Sequence, residues 1–260
     1  MDLGLMGRRA FVAASSQGLG YACARSLARE GVAVTLNGRD EVKLAAAVEQ
    51  LRGEVPESRV DWVAADLTTS EGIAAIVAAV PAVDILVTNN AGPAPGCLDD
   101  WDPDALIGAL RANMIPAVEL MRAYIPGMRE RRFGRIVNIT SAMVKSPAYD
   151  MGLSTSARAA LTAISKSISN DVVADNVTVN NLLPERFDTP RQDFMAERMM
   201  AAQGIDRDEA RRRIASTIAA GRLGRPEEFG DACAFLCSAQ SGYVSGQNLQ
   251  LDGGSYRGIV

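Results

Sequence analysis

The sequence predicts a single-domain α/β fold of the Rossmann type, a doubly wound parallel sheet of about seven strands with helices on both faces. The chain has 260 residues, of which 48% are hydrophobic, enough for one large domain with a substantial core. Short apolar or β-branched segments alternate with segments of helical pattern, which is typical of right-handed βαβ units. Several strand candidates are apolar at consecutive positions, as expected for a sheet buried on both faces.

The predicted elements follow one another along most of the chain. The predicted strands are residues 10–14, 33–37, 60–65, 85–88, 135–140, 178–183 and 248–251. The predicted helices are residues 19–30, 40–52, 70–80, 103–131, 154–174 and 226–238. The charged, helical segment at about 186–225 breaks the alternation, and we expect it to form a mobile substrate lobe within one domain spanning residues 1–260.

The composition excludes several functional classes. The chain contains no histidine, so His-dependent triads and His-ligated metal sites are excluded, and no metal is predicted. A formal net charge of −4 provides no basic field for nucleic acid or an anionic membrane. The start of the chain lacks the pattern of a signal peptide, and the longest apolar run, 73–83, is too short to span a bilayer. We therefore expect a soluble cytoplasmic protein whose four cysteines are reduced and buried.

A glycine-bearing turn joins the first predicted strand to the first predicted helix. In a doubly wound fold, free N–H groups and the helix dipole at this turn hold the pyrophosphate of a dinucleotide. The alternative is a plain connection between strand and helix. The predicted cofactor-binding residues of the turn are Ala14, Ser15, Ser16, Gln17, Gly18, Leu19 and Gly20.

The end of the second predicted strand indicates which dinucleotide is bound. Asn37, Gly38 and Arg39 offer no carboxylate to accept a hydrogen bond from a ribose 2′-hydroxyl. Arg39 could instead bind a 2′-phosphate with its forked guanidinium, or it could simply be solvated at the start of the next helix. We predict Asn37 and Arg39 as cofactor residues and NADP(H) as the cofactor, in preference to NAD(H).

Motifs along the whole chain resemble those of the short-chain dehydrogenase/reductase family. Gly18-Leu19-Gly20 matches the end of the family's T-G-x-x-x-G-[IL]-G turn, although Ala13-Ala14 replaces Thr-Gly. Further matches are the N-N-A-G motif at 89–92, the fifth strand at 134–141, and the C-terminal signature at 223–228 and 251–254. By resemblance, additional cofactor-binding residues are Asp66, Leu67, Asn90, Ala91, Gly92, Pro184 and Thr189.

The resemblance also locates the candidate catalytic residues. The family reduces carbonyls with a Tyr-x-x-x-Lys pair, and Ala159-Ala160-Leu161 sets a register that places Ser154 at the tyrosine and Arg158 at the lysine. Tyr149, four residues after Lys145, could supply a rearranged acid, although Pro147 between them disfavours a helical alignment. The candidate catalytic residues are Asn113, Ser141, Ser154, Arg158 and Tyr149.

These exchanges leave more than one function open. The first hypothesis is an NADP(H)-dependent oxidoreductase of carbonyl or alcohol substrates, including 3-oxoacyl thioesters, with a degenerate active site. It resembles an atypical branch of the 3-oxoacyl-carrier-protein reductases. The second is a catalytically silent homologue that acts as a binding module or as a non-catalytic subunit of a hetero-oligomer. A third uses Glu185, which replaces the glycine of the family's N-x-x-x-P-G, for proton chemistry without redox change. The resemblance further implies a homotetramer or dimer built on the helices at 103–131 and 154–174.

Overall fold

The computed structural model describes residues 2–259 and is built around a seven-stranded parallel sheet. The strands are β1 (Arg9–Val12), β2 (Ala33–Gly38), β3 (Val60–Ala64), β4 (Ile85–Thr88), β5 (Gly134–Ile139), β6 (Val177–Pro184) and β7 (Asn248–Leu251). Their order is β3-β2-β1-β4-β5-β6-β7, so the winding reverses between β1 and β4. Ligands bind at the carboxyl ends of strands at such a reversal. The predicted fold class is confirmed.

Helices cover both faces of the sheet. They are α1 (Gly18–Arg29), α2 (Glu41–Glu54), α3 (Ser70–Ala79), α4 (Pro103–Asn113), α5 (Ile115–Glu130), α6 (Gly152–Val172), α7 (Pro190–Gln203), α8 (Arg207–Ser216) and α9 (Pro226–Cys237). Apolar side chains of α1, α2 and α9 share one buried cluster with the sheet, and those of α3, α5 and α6 share another. The sheet therefore forms the middle of three layers.

The two clusters explain the consecutive apolar residues of the strands. In β1, Ala10 and Val12 belong to one cluster and Phe11 to the other. In β4, Leu86 likewise points away from Ile85 and its cluster. Successive side chains of a strand point to opposite faces, so a strand covered on both sides needs apolar residues at every position.

The long helix expected at residues 103–131 is a wrong prediction, because the structure divides it into α4 and α5 at Met114. Met114 has φ −120° and ψ −56°. Pro116 has no N–H, so it cannot donate to the carbonyl of Ala112 as a continuous helix would require. That carbonyl instead accepts a 2.7 Å hydrogen bond from Asn90 Nδ2. The break ties the end of α4 to the loop after β4.

The segment at 186–225 is helical, as its pattern indicated. It contains α7 and α8, which pack together around Ala196, Ala210 and Ile214. One expectation about the thiols was wrong: Cys23, Cys233 and Cys237 are buried, but Cys97 is exposed, because it lies in the loop after β4. Within residues 2–259, the helices all lack the combination of length and apolar character that crossing a lipid bilayer requires.

Candidate active site

The turn after β1 is held in place by two asparagines from neighbouring strands. The Ala14 N–H donates to Asn37 Oδ1 at 3.2 Å, and the Ala14 carbonyl accepts from Asn89 Nδ2 at 3.1 Å. Ala14 has φ +45°, a left-handed conformation that costs a non-glycine residue about 1–2 kcal/mol. The two amides therefore fix a turn that alanine alone would disfavour.

Asn37 is a support of this turn, not the direct cofactor contact that we predicted. Its side chain is completely buried, and Nδ2 donates to the carbonyls of Val63 at 3.1 Å and Ala65 at 3.2 Å. Ser15 is also fully buried, with its hydroxyl donating to the Val12 carbonyl at 2.7 Å. Both side chains join β1, β2 and β3 from inside the protein, so neither is exposed at the surface where a ligand would bind.

The start of α1 has the features of an anion site. Gln17 precedes the helix without a side-chain hydrogen bond that caps it, and the first turn holds no acid. The amino end of a helix carries free N–H groups and a partial positive charge. Gly20 lets the helix approach the turn, because a Cβ there would lie 2.5 Å from the Ala14 carbonyl oxygen. These residues fit the pyrophosphate of a dinucleotide.

The candidate cofactor site extends from the start of α1 to the tip of β2, and we call this stretch the groove. Arg39 is largely exposed, with a side-chain accessibility of 71%, and its Nη1 lies 3.7 Å from Asp66 Oδ2. A hydrogen bond from the Thr68 backbone holds the pKa of Asp66 below its usual range, so this acid stays charged beside Arg39. Ser16 lies next to Gly38, whose Cβ would be 3.5 Å from the Ser16 hydroxyl. Leu67 is buried in the core, which leaves its side chain no contact with a ligand at this tip.

Ser154 and Arg158 meet one turn apart on α6. Arg158 Nη1 donates a hydrogen bond to Ser154 Oγ, and the Ser154 side chain is buried. Gly92, in the loop after β4, faces both: its Cβ would lie 3.2 Å from each terminal nitrogen of Arg158 and 3.5 Å from Ser154 Oγ. A side chain at position 92 would therefore displace the guanidinium.

The Arg158 guanidinium is partly buried without a carboxylate partner. Burial, together with the charge of Arg191, lowers the pKa of Arg158 from 12.5 to about 10. Arg191 comes from the first turn of α7, and its Nη2 donates to the Pro93 carbonyl at 3.3 Å. Neither arginine forms an ion pair with an acid of residues 2–259. Two cations therefore lie beside the same loop.

Ser141 and Asn113 border the same region. Ser141 follows β5, and its hydroxyl accepts a 3.2 Å hydrogen bond from the Met143 N–H at a short 3₁₀ turn, Ala142–Val144, which packs against α6. Asn113 ends α4 and is buried, and with Asn90 it lines a small cavity that α6 closes through Leu161. The carboxyl ends of β4 and β5 thus face α6 across a single site.

The comparison with known proteins identifies the family. The family model described as Enoyl-(Acyl carrier protein) reductase matches residues 13–256. The NADPH-dependent reductase BacG of Bacillus subtilis is 30% identical, covering 97% of this chain and 99% of that protein. The 3-oxoacyl-[acyl-carrier-protein] reductase FabG of Rickettsia bellii is 32% identical, covering 96% and 97%. The chain belongs to the short-chain dehydrogenase/reductase family.

A solved structure of the same short-chain dehydrogenase/reductase fold supports the comparison. The L-sorbose reductase of Gluconobacter frateurii, complexed with NADPH and L-sorbose, superimposes with a TM-score of 0.95 at 30% identity, and each chain is covered completely. One of these relatives is an NADPH-dependent reductase and another is a reductase complexed with NADPH, which agrees with the prediction of an NADP(H) reductase. The resemblance found in the sequence is confirmed at the level of the family.

The structure does not bring Tyr149 together with Lys145 as an acid pair. Tyr149 is 88% exposed, and Lys145 Nζ lies 5.5 Å from the centre of the Tyr256 ring. The intervening Pro147 prevents the helical geometry that would align the two side chains. Glu185 is engaged by its neighbour Arg186 at 3.4 Å. The two alternative proton-transfer groups are thus turned to other partners or to solvent.

The remaining predicted cofactor residues lie along the groove. Ala91 is exposed beside Gly92, and Pro184 ends β6 opposite Leu251 of β7. Thr189 precedes α7 and lies next to the turn after β1, since a Cβ on Gly18 would lie 3.9 Å from the Thr189 methyl group. Sequence reasoning missed Arg191. Its position two residues after Thr189 was the signal available, but its proximity to Arg158 depends on how α7 folds back.

Proposed function

We propose that this chain is an NADP(H)-dependent oxidoreductase that interconverts a carbonyl compound and its alcohol, with Ser154 and Arg158 in place of the family's tyrosine and lysine. The observation that carries the proposal is the hydrogen-bonded Ser154–Arg158 pair, which faces the Gly92 loop at the carboxyl ends of the strands. The relatives, which include an NADPH-dependent reductase, a 3-oxoacyl-[acyl-carrier-protein] reductase and an L-sorbose reductase, support the reaction class.

The groove offers a partner for each part of the cofactor. The free N–H groups at the start of α1 would hold the pyrophosphate, and Arg39 with Ser16 would hold the 2′-phosphate. Arg158 would contact the hydroxyls of the ribose next to the nicotinamide, and Thr189 would contact the carboxamide. When bound, NADPH supplies the hydride that reduces the carbonyl carbon.

Ser154 and Arg158 would stabilise the reacting oxygen. Ser154 Oγ accepts its hydrogen bond from Arg158, so its own O–H is free to donate a hydrogen bond to the carbonyl oxygen of the substrate. The charge of Arg158 stabilises the negative charge that develops on that oxygen, and Ser141 offers a second hydroxyl. A serine hydroxyl is a far weaker acid than a phenol, so we propose that water supplies the transferred proton. The absence of a positioned general acid typically lowers the rate by about 10²–10⁴-fold.

We propose that the active form is a homotetramer or dimer associated through α4, α5 and α6. Leu106 and Ile107 on α4 and Ile115 on α5 are large apolar side chains exposed on the single chain. Their burial against a second copy would remove apolar surface from water. Size-exclusion chromatography with light scattering should give at least twice the monomer mass, and a monomer would contradict this assembly.

Cofactor binding and turnover test the proposed function. Calorimetric titration should show micromolar binding of NADPH and weaker binding of NADH. Arg39→Ala should remove about tenfold or more of the NADPH affinity, because a charge-assisted contact contributes about 1.5–3 kcal/mol. Arg59→Ala is the matched control, since Arg59 is exposed before the start of β3, at the opposite end of the sheet. NADPH oxidation should then be measured over a panel of ketones and 3-oxoacyl thioesters.

Each outcome has a distinct meaning. Failure to bind either dinucleotide would contradict the proposal. Tight NADPH binding without oxidation by any carbonyl of the panel would favour the silent homologue, a binding module or non-catalytic subunit. Turnover that is lost in Ser154→Ala but retained in Tyr149→Phe would support the roles given above.

A further inference from the structure

The arginines of the segment at 186–225 fall into two groups. Seven of them form an ion pair with one of five carboxylates, namely Arg186 with Glu185, Arg207 and Arg211 with Asp193, Arg211 also with Asp188, Arg212 and Arg213 with Glu209, and Arg222 and Arg225 with Glu228. Arg191 and Arg198 form no ion pair with an acid of residues 2–259. These two lie on α7, the helix that begins next to the turn after β1. The two arginines of this segment that lack an ion pair within the described chain thus lie on the same helix beside the site, a helix that also carries Glu197.

Arg191 adds its charge to that of Arg158. Burial and the charge of Arg198 lower the pKa of Arg191, just as burial and the charge of Arg191 lower that of Arg158. Phe194 lies between the two arginines of α7, with its ring centre 5.2 Å from the Arg191 guanidinium and 6.0 Å from that of Arg198. Arg191 and Arg198 are exposed, whereas Arg158 is partly buried. The three neighbouring cations repel one another, and a bound anion would relieve that repulsion.

The position of Arg191 indicates which anion would compensate this charge. Its hydrogen bond to the Pro93 carbonyl holds the guanidinium next to Gly92, the residue that contacts the Ser154–Arg158 pair. The pyrophosphate and the 2′-phosphate of the cofactor have other partners, at the start of α1 and at Arg39. The anion at Arg191 therefore belongs to the molecule that is reduced.

We propose that the substrate is a carbonyl compound that carries a carboxylate or phosphate group, which Arg191 binds while the carbonyl oxygen lies at Ser154 and Arg158. This inference rests on the proposed function and specifies its substrate class. Arg198 and the exposed face of Phe194 extend the same surface, so the remainder of the substrate has apolar character next to its charge.

Matched pairs of ketones test the proposal. Pyruvate, acetoacetate and levulinate place a carboxylate at increasing distance from the ketone, and their methyl esters remove the charge. Binding to the NADP⁺-saturated protein is measured by calorimetry, and kcat/KM is measured by NADPH oxidation. At least one acid should be preferred over its ester by about tenfold or more, and Arg191→Gln should reduce that preference by about 10- to 100-fold while the ester is unaffected.

Two further variants make the result specific. Arg191→Lys should restore part of the preference, because it keeps the charge but not the fork of the guanidinium. Arg212→Gln should leave every value unchanged, since Arg212 is exposed and Arg213 still pairs with its partner Glu209. NADPH affinity is measured for each variant.

The outcomes separate this inference from the function on which it rests. Equal effects of Arg191→Gln on acids and esters, or no acid preferred over its ester, would overturn the anionic substrate while NADPH-dependent turnover of esters would still support the oxidoreductase. A loss of NADPH affinity as large as the loss of acid binding would assign Arg191 to a cofactor phosphate and also overturn the inference. Binding of an acid that depends on Arg191, without NADPH oxidation, would support the anion site and contradict the reductase.

Discussion

Replacing Arg158 by methionine should stabilise the unliganded protein, although it removes a central residue of the proposed site. The pKa of Arg158 falls from 12.5 to about 10 in the folded protein, which at 1.36 kcal/mol per pKa unit corresponds to about 3 kcal/mol against its charged form. The substitution also removes the hydrogen bond to Ser154, worth about 1 kcal/mol. The net expectation is a gain of about 2 kcal/mol, or roughly 4–8 °C in melting temperature for a domain of this size.

Arg135 provides the matched control, because the same substitution should have the opposite effect there. Arg135 is 1% exposed, but its guanidinium donates to the carbonyls of Gly134, Asn176 and Ser238, at 2.8, 3.0 and 3.1 Å. It also lies 4.4 Å from the centre of the Phe133 ring. Arg135→Met removes three hydrogen bonds from a charged donor, worth about 1.5–3 kcal/mol each, although the Asn176 and Ser238 carbonyls keep the Gly134 N–H and the Ser241 hydroxyl as donors. We therefore expect a loss of at least about 3 kcal/mol.

The assay is urea and thermal unfolding of both variants after removal of any bound nucleotide, followed by NADPH titration. Arg158→Met should unfold at higher urea concentration than the parent and bind NADPH more weakly, whereas Arg135→Met should unfold at lower concentration. A destabilisation of similar size in both variants would refute the reasoning, since it would show that Arg158 supports the fold and is not kept against stability for binding.

Three further predictions address the turn after β1, the hydrogen-bond donor at the carbonyl oxygen and the response to acid. Asn37→Asp should lower the free energy of unfolding by about 3 kcal/mol in urea denaturation, because it removes both amide donors and buries a charge. Asn248→Asp is the control and should cost less, because Asn248 Oδ1 is used only as an acceptor from Asn181. Tyr149→Phe should leave kcat/KM for ketones within about twofold, and Ser154→Ala, which loses the hydrogen bond to the carbonyl oxygen, should lower it by about 10²-fold; the reverse order would assign that hydrogen bond to Tyr149. Hydrogen bonding to Arg222 holds the pKa of Glu228 at about 2 instead of 4.5, so its contribution is complete above pH 4.5 and is lost as the pH falls toward 2. The urea midpoints of the parent and Glu228→Gln should therefore differ near neutral pH and converge in acid.

The fold was predictable because its signals are local. Alternation of apolar strands with helical segments predicts parallel βαβ units, and each strand of the predicted set is present with ends that differ by at most two residues. The turn at 13–20 could be located for the same reason, since it lies between a strand and a helix. The break at Met114 was missed although Pro116 was visible, because proline is also common in the first turn of a helix and the partner of the freed Ala112 carbonyl comes from another loop.

The sequence by itself determined the family, the layer structure and the positions of Ser154 and Arg158, because periodicity and motif order are properties of the chain. Only the tertiary structure decided what those side chains contact. Asn37 looked like a ligand contact at a strand tip, yet the pairing of β2 with β3 brings the Val63 and Ala65 carbonyls to its amide and buries it. In the sequence, nothing distinguishes Arg191 from the other arginines of the segment at 186–225. The position of α7 brings it against Pro93 and near Arg158. Hydrogen bonds and charge pairs act over a few ångströms, so partners far apart in sequence become known only when the elements that carry them are packed.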